Sequence, residues 1–228
     1  SFPMIDSRRY NAALSELSKN AEQIEAVEET GHCVVLAGPG SGKTKTLTVA
    51  MTRALIVEVQ PPRGIACITY NNECALELET RLNDFGVEPS DQIFIGTVHS
   101  FALTQVIFPY ARCVMSELGD NIEVASEDQR EIAIAAAYQK VIGDGDDPNK
   151  RWKFAETKRR LHVFRDQPDW HGKNPELAAF VEAYETELRR QGLIDFDDMP
   201  LLALQIVREN QWVRESLRAK YPVLFVDE

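Results

Sequence analysis

No apolar run in this 228-residue chain approaches the ~20 residues that a membrane-spanning helix needs. The first residues, Ser1-Phe2-Pro3-Met4-Ile5-Asp6, have neither the basic nor the apolar segment of a secretory signal. An initiator Met is also missing, which reads as a trimmed or engineered start. Cysteine is scarce. Cys33, Cys67, Cys74 and Cys113 have no C-x-x-C spacing, which speaks against a zinc site or a redox motif. Three of them sit in apolar patterns, so reduced core residues of a cytoplasmic protein are expected. Positive charge is in deficit: 25 Lys and Arg against 36 Asp and Glu leave a net charge of −11. A surface devoted wholly to nucleic acid is thereby disfavoured, although a local basic groove is not. Internal repeats and low-complexity stretches are lacking too. What remains is an ordinary soluble chain, long enough for one large domain or two modest ones.

Against these absences one segment stands out. Ala37-Gly38-Pro39-Gly40-Ser41-Gly42-Lys43-Thr44 follows the apolar run Cys33-Val34-Val35-Leu36 and precedes a helical pattern. Small residues let successive backbone N–H groups turn inward around phosphate oxygens, and a helix N-terminus adds its positive dipole end. An ordinary glycine-rich turn does not require the whole octamer in a strand–loop–helix setting. The segment therefore predicts a nucleoside triphosphate site. Lys43 would reach the β- and γ-phosphates, Thr44 would ligate Mg²⁺, and Lys45 continues the phosphate-side segment. The first position is Ala rather than Gly, a small residue that should still fit.

Apolar runs and helical periodicities alternate through the first third of the chain. Leu47, Ala50, Met51, Ala54 and Leu55 recur on one helix face, and Pro61-Pro62-Arg63-Gly64 breaks the pattern. Ile65-Ala66-Cys67-Ile68-Thr69 reads as a buried strand. Ala75, Leu78, Leu82 and Phe85 mark a second helix, and Ile93-Phe94-Ile95 a third short strand. This alternation predicts an α/β fold with a parallel sheet and helices on both faces. From about residue 105 to 192 the periodicity is helical, with no convincing strand, and helices are expected over 126–142, 149–165 and 174–190. Val223-Leu224-Phe225-Val226 then returns to strand character. The expected architecture is a nucleotide-binding domain interrupted by an all-helical insertion. The acidic glycine loop at 143–149 fails the calcium-loop pattern, with Asn149 where Gly is required, and reads as a solvated turn.

The last strand ends in Asp227-Glu228, the expected partner of a phosphate-binding loop. Asp227 would hold Mg²⁺ from the strand's carboxyl end, where open α/β sheets place ligands. Glu228 would accept a proton from the attacking water or orient it.

Taken in order, these motifs resemble the N-terminal half of superfamily 1 DNA helicases of the UvrD/Rep type. Asn20-Ala21-Glu22-Gln23-Ile24-Glu25-Ala26-Val27 looks like the family's glutamine motif, with Lys19 where Leu is usual. Gln23 would offer its amide to the adenine edge, which selects ATP. Thr69-Tyr70-Asn71-Asn72-Glu73-Cys74-Ala75 is similar to the family's segment that contacts single-stranded DNA. There Tyr70 would stack on a base and Asn71 would contact the DNA, while Glu73 replaces a common Lys. Gly96-Thr97-Val98-His99-Ser100-Phe101 matches the next motif, with Val98 replacing Phe; Thr97 and His99 would contact the DNA backbone or couple DNA to the nucleotide site. Asp195-Phe196-Asp197-Asp198-Met199 matches a motif at the return from the insertion, and its simplest physical reading is helix capping. The mixed basic and aromatic run Lys150-Arg151-Trp152-Lys153-Phe154, with Lys158-Arg159-Arg160, reads equally as a nucleic-acid surface or a solvated helix face.

The resemblance implies a RecA-like P-loop domain, 1A, over 1–104 and 193–228, carrying a helical domain, 1B, over 105–192. It implies ATP and Mg²⁺ as cofactors and single-stranded or partly duplex DNA as partner. It further implies a cytoplasmic monomer, and a second RecA-like domain absent from this chain, so that the fragment alone should turn over little ATP. The resulting expectation is the ATP-binding part of a DNA-dependent ATPase that translocates on single-stranded DNA and unwinds duplex. The alternatives are a nucleotide-binding regulatory module and the motor part of a helicase–nuclease.

Overall fold

A computed structural model describes residues 5–30 and 42–227. In chain order its elements are α1 (Ser7–Leu17), α2 (Ala21–Glu28), α3 (Lys43–Arg53), β1 (Ile65–Thr69), α4 (Asn72–Asp84), β2 (Ile93–Thr97) and α5 (Val98–Phe101). There follow α6 (Phe108–Val114), β3 (Glu123–Val124), α7 (Glu127–Val141), α8 (Pro148–Leu161), α9 (Pro175–Arg190), β4 (Leu193–Ile194), α10 (Asp198–Glu209), α11 (Gln211–Lys220) and β5 (Val223–Val226). The chain divides into two compact units, 1–101 with 211–228, and 102–210. Residues 193–210, assigned from sequence to the return segment, pack within the second unit. The apolar run at 33–36 lies outside the described residues.

The first unit is built on a parallel sheet in the order β2-β1-β5. β1 reads Ile-Ala-Cys-Ile-Thr, nearly continuous in apolar residues, because a central parallel strand is covered on both faces. Alternation sends Ile65 and Cys67, with Ile93, Ile95, Val223 and Phe225, to one face. Met51 of α3 and Leu78 and Leu82 of α4 pack on that face. Burial of each such side chain contributes about 1.5–3 kcal/mol. A second cluster of Ala13, Leu17, Val27 and Val49 ties α1 and α2 to α3. Gly64 marks where the strands converge: its N–H donates to the Lys220 carbonyl, and an added Cβ would fall 1.7 Å from the Gln92 carbonyl oxygen. No side chain fits that approach.

The second unit is helical, and the expected helices appear at 127–141, 148–161 and 175–190. The middle one stops at Leu161, short of the expected 165. Contrary to the sequence reading, residues 123–124 and 193–194 form a parallel two-residue pair, too short to leave a periodic signal. Ser126 and Gln129 make a reciprocal capping box on α7. In the acidic loop, the Asp147 carboxylate accepts from the Asn149 N–H and caps α8, with Pro148 at its first position. Trp152, Trp170, Phe180 and Tyr184 are buried at the centre of the helices.

Charges also lie in this core. Arg159 is fully buried, and its Nε, Nη1 and Nη2 donate to Glu185 (2.8 Å), Asp195 (2.7 Å) and Asp198 (2.5 Å). Arg189 donates to both oxygens of Asp198, and the Tyr184 hydroxyl donates to Asp195. The backbone N–H groups of Asp195 and Asp198 each donate to the other's carboxylate at 2.8 Å, capping α10. Burial acts to raise the Asp195 carboxyl, but the Arg159 guanidinium overcomes it and holds it at about 2. Burial likewise opposes the charge on Arg159, and the three carboxylates raise its pKa well above the ordinary value. The 195–199 motif is therefore a capping and ion-pairing structure. The basic–aromatic run is corrected accordingly: Trp152 and Arg159 are core, Arg151 pairs with Glu176, and Arg160 pairs with Asp197, leaving Lys150, Lys153 and Phe154 exposed. The cysteine reading also needs correction, since Cys67 is buried but Cys74 is half-buried and Cys113 exposed.

Candidate nucleotide site and nucleic-acid edge

β5 delivers Asp227 to the carboxyl edge of the sheet, where its N–H donates to the Ile68 carbonyl of β1 at 2.8 Å. Lys43, the first residue of α3, places its Nζ 2.6 Å from Asp227 Oδ1. Two residues separated by most of the chain's length are thus brought together as an ion pair. The Asp227 side chain is 10% exposed and Lys43 36%. Oδ1 is buried and, apart from this close charge, accepts no aligned hydrogen bond among the described residues. Such an oxygen retains lone-pair capacity for a hard cation. Thr44, which carries a hydroxyl, is half-buried in the first turn of α3.

Gly42 precedes α3 with φ +80°, the left-handed conformation that glycine adopts without penalty. A Cβ at Gly42 would meet Gln23 Nε2 at 3.0 Å, so the amide of the glutamine motif reaches the end of the loop. The Asn20 side chain positions Gln23 by accepting from the N–H groups of Glu22 and Gln23 at the start of α2. Lys45 is engaged by Glu16 of α1. Of the remaining expected nucleotide residues, Ala37, Gly38, Pro39, Gly40 and Ser41 lie outside the described residues, as does Glu228.

The nucleic-acid candidates occupy the same edge. Thr69 and Thr97 end neighbouring strands and are register partners. Tyr70, which follows Thr69, is 81% exposed and so is not a core aromatic. Asn71 uses its side chain to cap α4, accepting from the Cys74 N–H at 2.8 Å. Thr97 similarly accepts from the Ser100 N–H at 3.2 Å through its hydroxyl, at the start of α5, where His99 is half-buried. Behind the edge, Cys67 on β1 is pushed up to about 12, first by burial and then by the negative charge of Asp227. Sequence reasoning missed one contributor, Asn20, as the residue that sets Gln23. The Asn at the head of an amphipathic run was a readable capping signal.

Among the described residues, no helix is long and apolar enough to cross a membrane. The chain is similar to the ATP-dependent DNA helicase Rep of Buchnera aphidicola subsp. Baizongia pistaciae, 27% identical over 216 residues, which is 92% of this chain and 31% of the relative. It is similar to the putative ATP-dependent DNA helicase YjcD of Bacillus subtilis, 27% identical over 221 residues, 92% of the chain and 28% of the relative. The ATP-dependent DNA helicase PcrA of Staphylococcus aureus is 25% identical over 225 residues, 96% of the chain and 30% of the relative. The chain thus spans about a third of the length of these curated relatives. The profile of the UvrD/REP helicase N-terminal domain matches residues 19–228, and with the parallel sheet and its Lys43–Asp227 edge in place, the chain belongs to that family.

Proposed function

We propose that this chain is the ATP-binding part of a DNA-dependent ATPase that moves on single-stranded DNA and unwinds duplex. The observation that carries the reading is the 2.6 Å approach of Lys43 to Asp227 at the carboxyl edge of the parallel sheet. In this reading the first unit is a RecA-like domain 1A, with helices on both sheet faces, and the second is its helical insertion, domain 1B. ATP lies at the sheet edge, with Gly42, Lys43 and the preceding loop at the phosphates and Gln23 at the adenine. Lys45 reaches the same phosphate side only by leaving Glu16. Asp227 and Thr44 fit Mg²⁺, which favours hard oxygen donors and is commonly held by one or two protein oxygens together with substrate phosphates. When bound, the ion neutralises charge on the phosphoryl oxygens. Lys43 donates to the phosphates, and Glu228 orients the attacking water and takes its proton.

DNA crosses the neighbouring strand ends, where Tyr70 stacks on a base, Asn71 and Thr97 fix the backbone turns that present it, and His99 links this edge to the nucleotide. Base–aromatic stacking contributes about 1–3 kcal/mol with little sequence preference. Turnover draws on a second RecA-like domain outside this chain, since arginines supplied to the transferring phosphoryl group raise rates by ~10³–10⁵. The protein is expected to act as a cytoplasmic monomer.

The test is ATP hydrolysis by the protein that carries this chain, with and without single-stranded DNA, beside a Lys43→Ala variant. DNA stimulation of at least tenfold, abolished in the variant, is expected. Hydrolysis indifferent to DNA would point instead to a nucleotide-controlled regulatory module. Alone, the 228-residue chain is expected to bind nucleotide but hydrolyse little.

A further inference from the structure

The charge around Tyr70 does not suit a phosphate contact. Glu73 lies in the first turn of α4, three residues beyond Tyr70, and is exposed. Among the described residues it forms no hydrogen bond or ion pair, whereas Glu77 on the same helix is paired with Arg81. Asn71 caps the helix between them and fixes Tyr70 just before α4 and Glu73 within its first turn. At the same edge, the ammonium of Lys43 is held 2.6 Å from Asp227. A phosphate near Tyr70 would therefore meet an uncompensated carboxylate, but a base stacked on the ring would present its polar edge to an acceptor.

We propose that Glu73 is a specificity-determining residue. Its carboxylate accepts a hydrogen bond from the exocyclic amine of the base stacked on Tyr70, favouring amine-bearing bases over thymine and uracil. The inference rests on the reading of Tyr70 as a stacking residue and names the chemistry that site selects. A carboxylate accepts from the N4 amine of cytosine, whereas uracil presents only a carbonyl at that position. An exposed charge-assisted hydrogen bond at one base supports a preference of about three- to tenfold. Phosphate repulsion by Glu73 lowers affinity for all sequences alike and leaves the preference intact.

The test is fluorescence anisotropy of the full chain with labelled oligo-dC and oligo-dU of about 16 nucleotides, near neutral pH over a range of salt. Wild type is expected to bind oligo-dC about three- to tenfold more tightly. Glu73→Ala should equalise the two oligonucleotides. Glu73→Lys should also equalise them and steepen the logarithmic salt dependence by about 0.7, the value for one added single-strand phosphate contact. Tyr70→Ala should weaken both. Equal binding of the two by wild type, with Tyr70→Ala still weakening both, overturns the role of Glu73 and leaves the DNA reading standing. Indifference of both oligonucleotides to Tyr70→Ala overturns the stacking reading, and the specificity falls with it.

Discussion

Lys43 and Arg159 are both cations held by aspartates, yet their surroundings differ in kind. Lys43 is partly exposed and meets Asp227, whose buried Oδ1 has no aligned hydrogen bond among the described residues. Arg159 has no exposed side-chain surface, and its Nε, Nη1 and Nη2 each donate to a carboxylate. A polar atom left with spare capacity can act on a ligand, whereas a saturated cluster has nothing further to offer. The comparison separates the two aspartate motifs of this chain. Asp227 Oδ1 meets one ammonium and no aligned donor among the described residues, while Asp195 and Asp198 are engaged by Arg159, Arg189, Tyr184 and each other's backbone.

The largest effect that tests this contrast is on stability. Arg159→Met leaves Asp195, Asp198 and Glu185 without their shared cation, and removal of one partner from a buried ion cluster costs about 3–5 kcal/mol. Urea unfolding followed by circular dichroism should show that loss in the helical unit. Lys43→Ala should cost less, about 1–3 kcal/mol in the same assay, because it strands one buried oxygen of Asp227 rather than three carboxylates. A loss from Lys43→Ala as large as that from Arg159→Met would erase the distinction between the two sites.

Much of the first unit was legible because its constraints are local. β1 and β5 appear at the residues that the apolar runs indicated, and β1 is nearly continuous in apolar residues because a central parallel strand is covered on both faces. Lys43 and Asp227, which meet at 2.6 Å, were singled out by the loop octamer and by the strand that ends in Asp-Glu, and Gln23 by the family resemblance alone. Arg159 was not readable. Its partners lie 26, 36 and 39 residues away, and nothing local distinguishes a buried arginine from the exposed ones beside it in Lys158-Arg159-Arg160. The same non-local pairing hid the β3–β4 ladder and extended the helical unit to residue 210.

A smaller effect bears on how Gln23 meets the loop. Gly42→Ala forces a side chain into left-handed backbone at φ +80°, at a cost of about 1–2 kcal/mol. It also places a methyl 3.0 Å from Gln23 Nε2, which must give way. The ratio of ATP to GTP affinity, measured by competition with a fluorescent nucleotide, should therefore fall toward one. An unchanged ratio beside a weakened affinity for both would mean that Gly42 serves the phosphates alone and that Gln23 is set independently by Asn20.

The smallest effect concerns the thiol behind the edge. Cys67 is pushed up to about 12 from an ordinary value of 9.0, by burial first and by the Asp227 charge second. Its folded pKa lies above its unfolded one, so the folded state retains a proton that the unfolded state loses. The associated stability is complete below pH 9.0 and is lost as pH rises through about 12. Because the thiolate is the nucleophile, iodoacetamide at about pH 8 should modify the exposed Cys113 and leave Cys67 unmodified until the protein unfolds. Peptide mass spectrometry reads both sites in one experiment. Asp227→Asn removes only the lesser cause, so protection of Cys67 should persist in that variant; fast labelling there would mean that charge rather than burial governs the interior of the edge, and the contrast with the Arg159 cluster would narrow to one of degree.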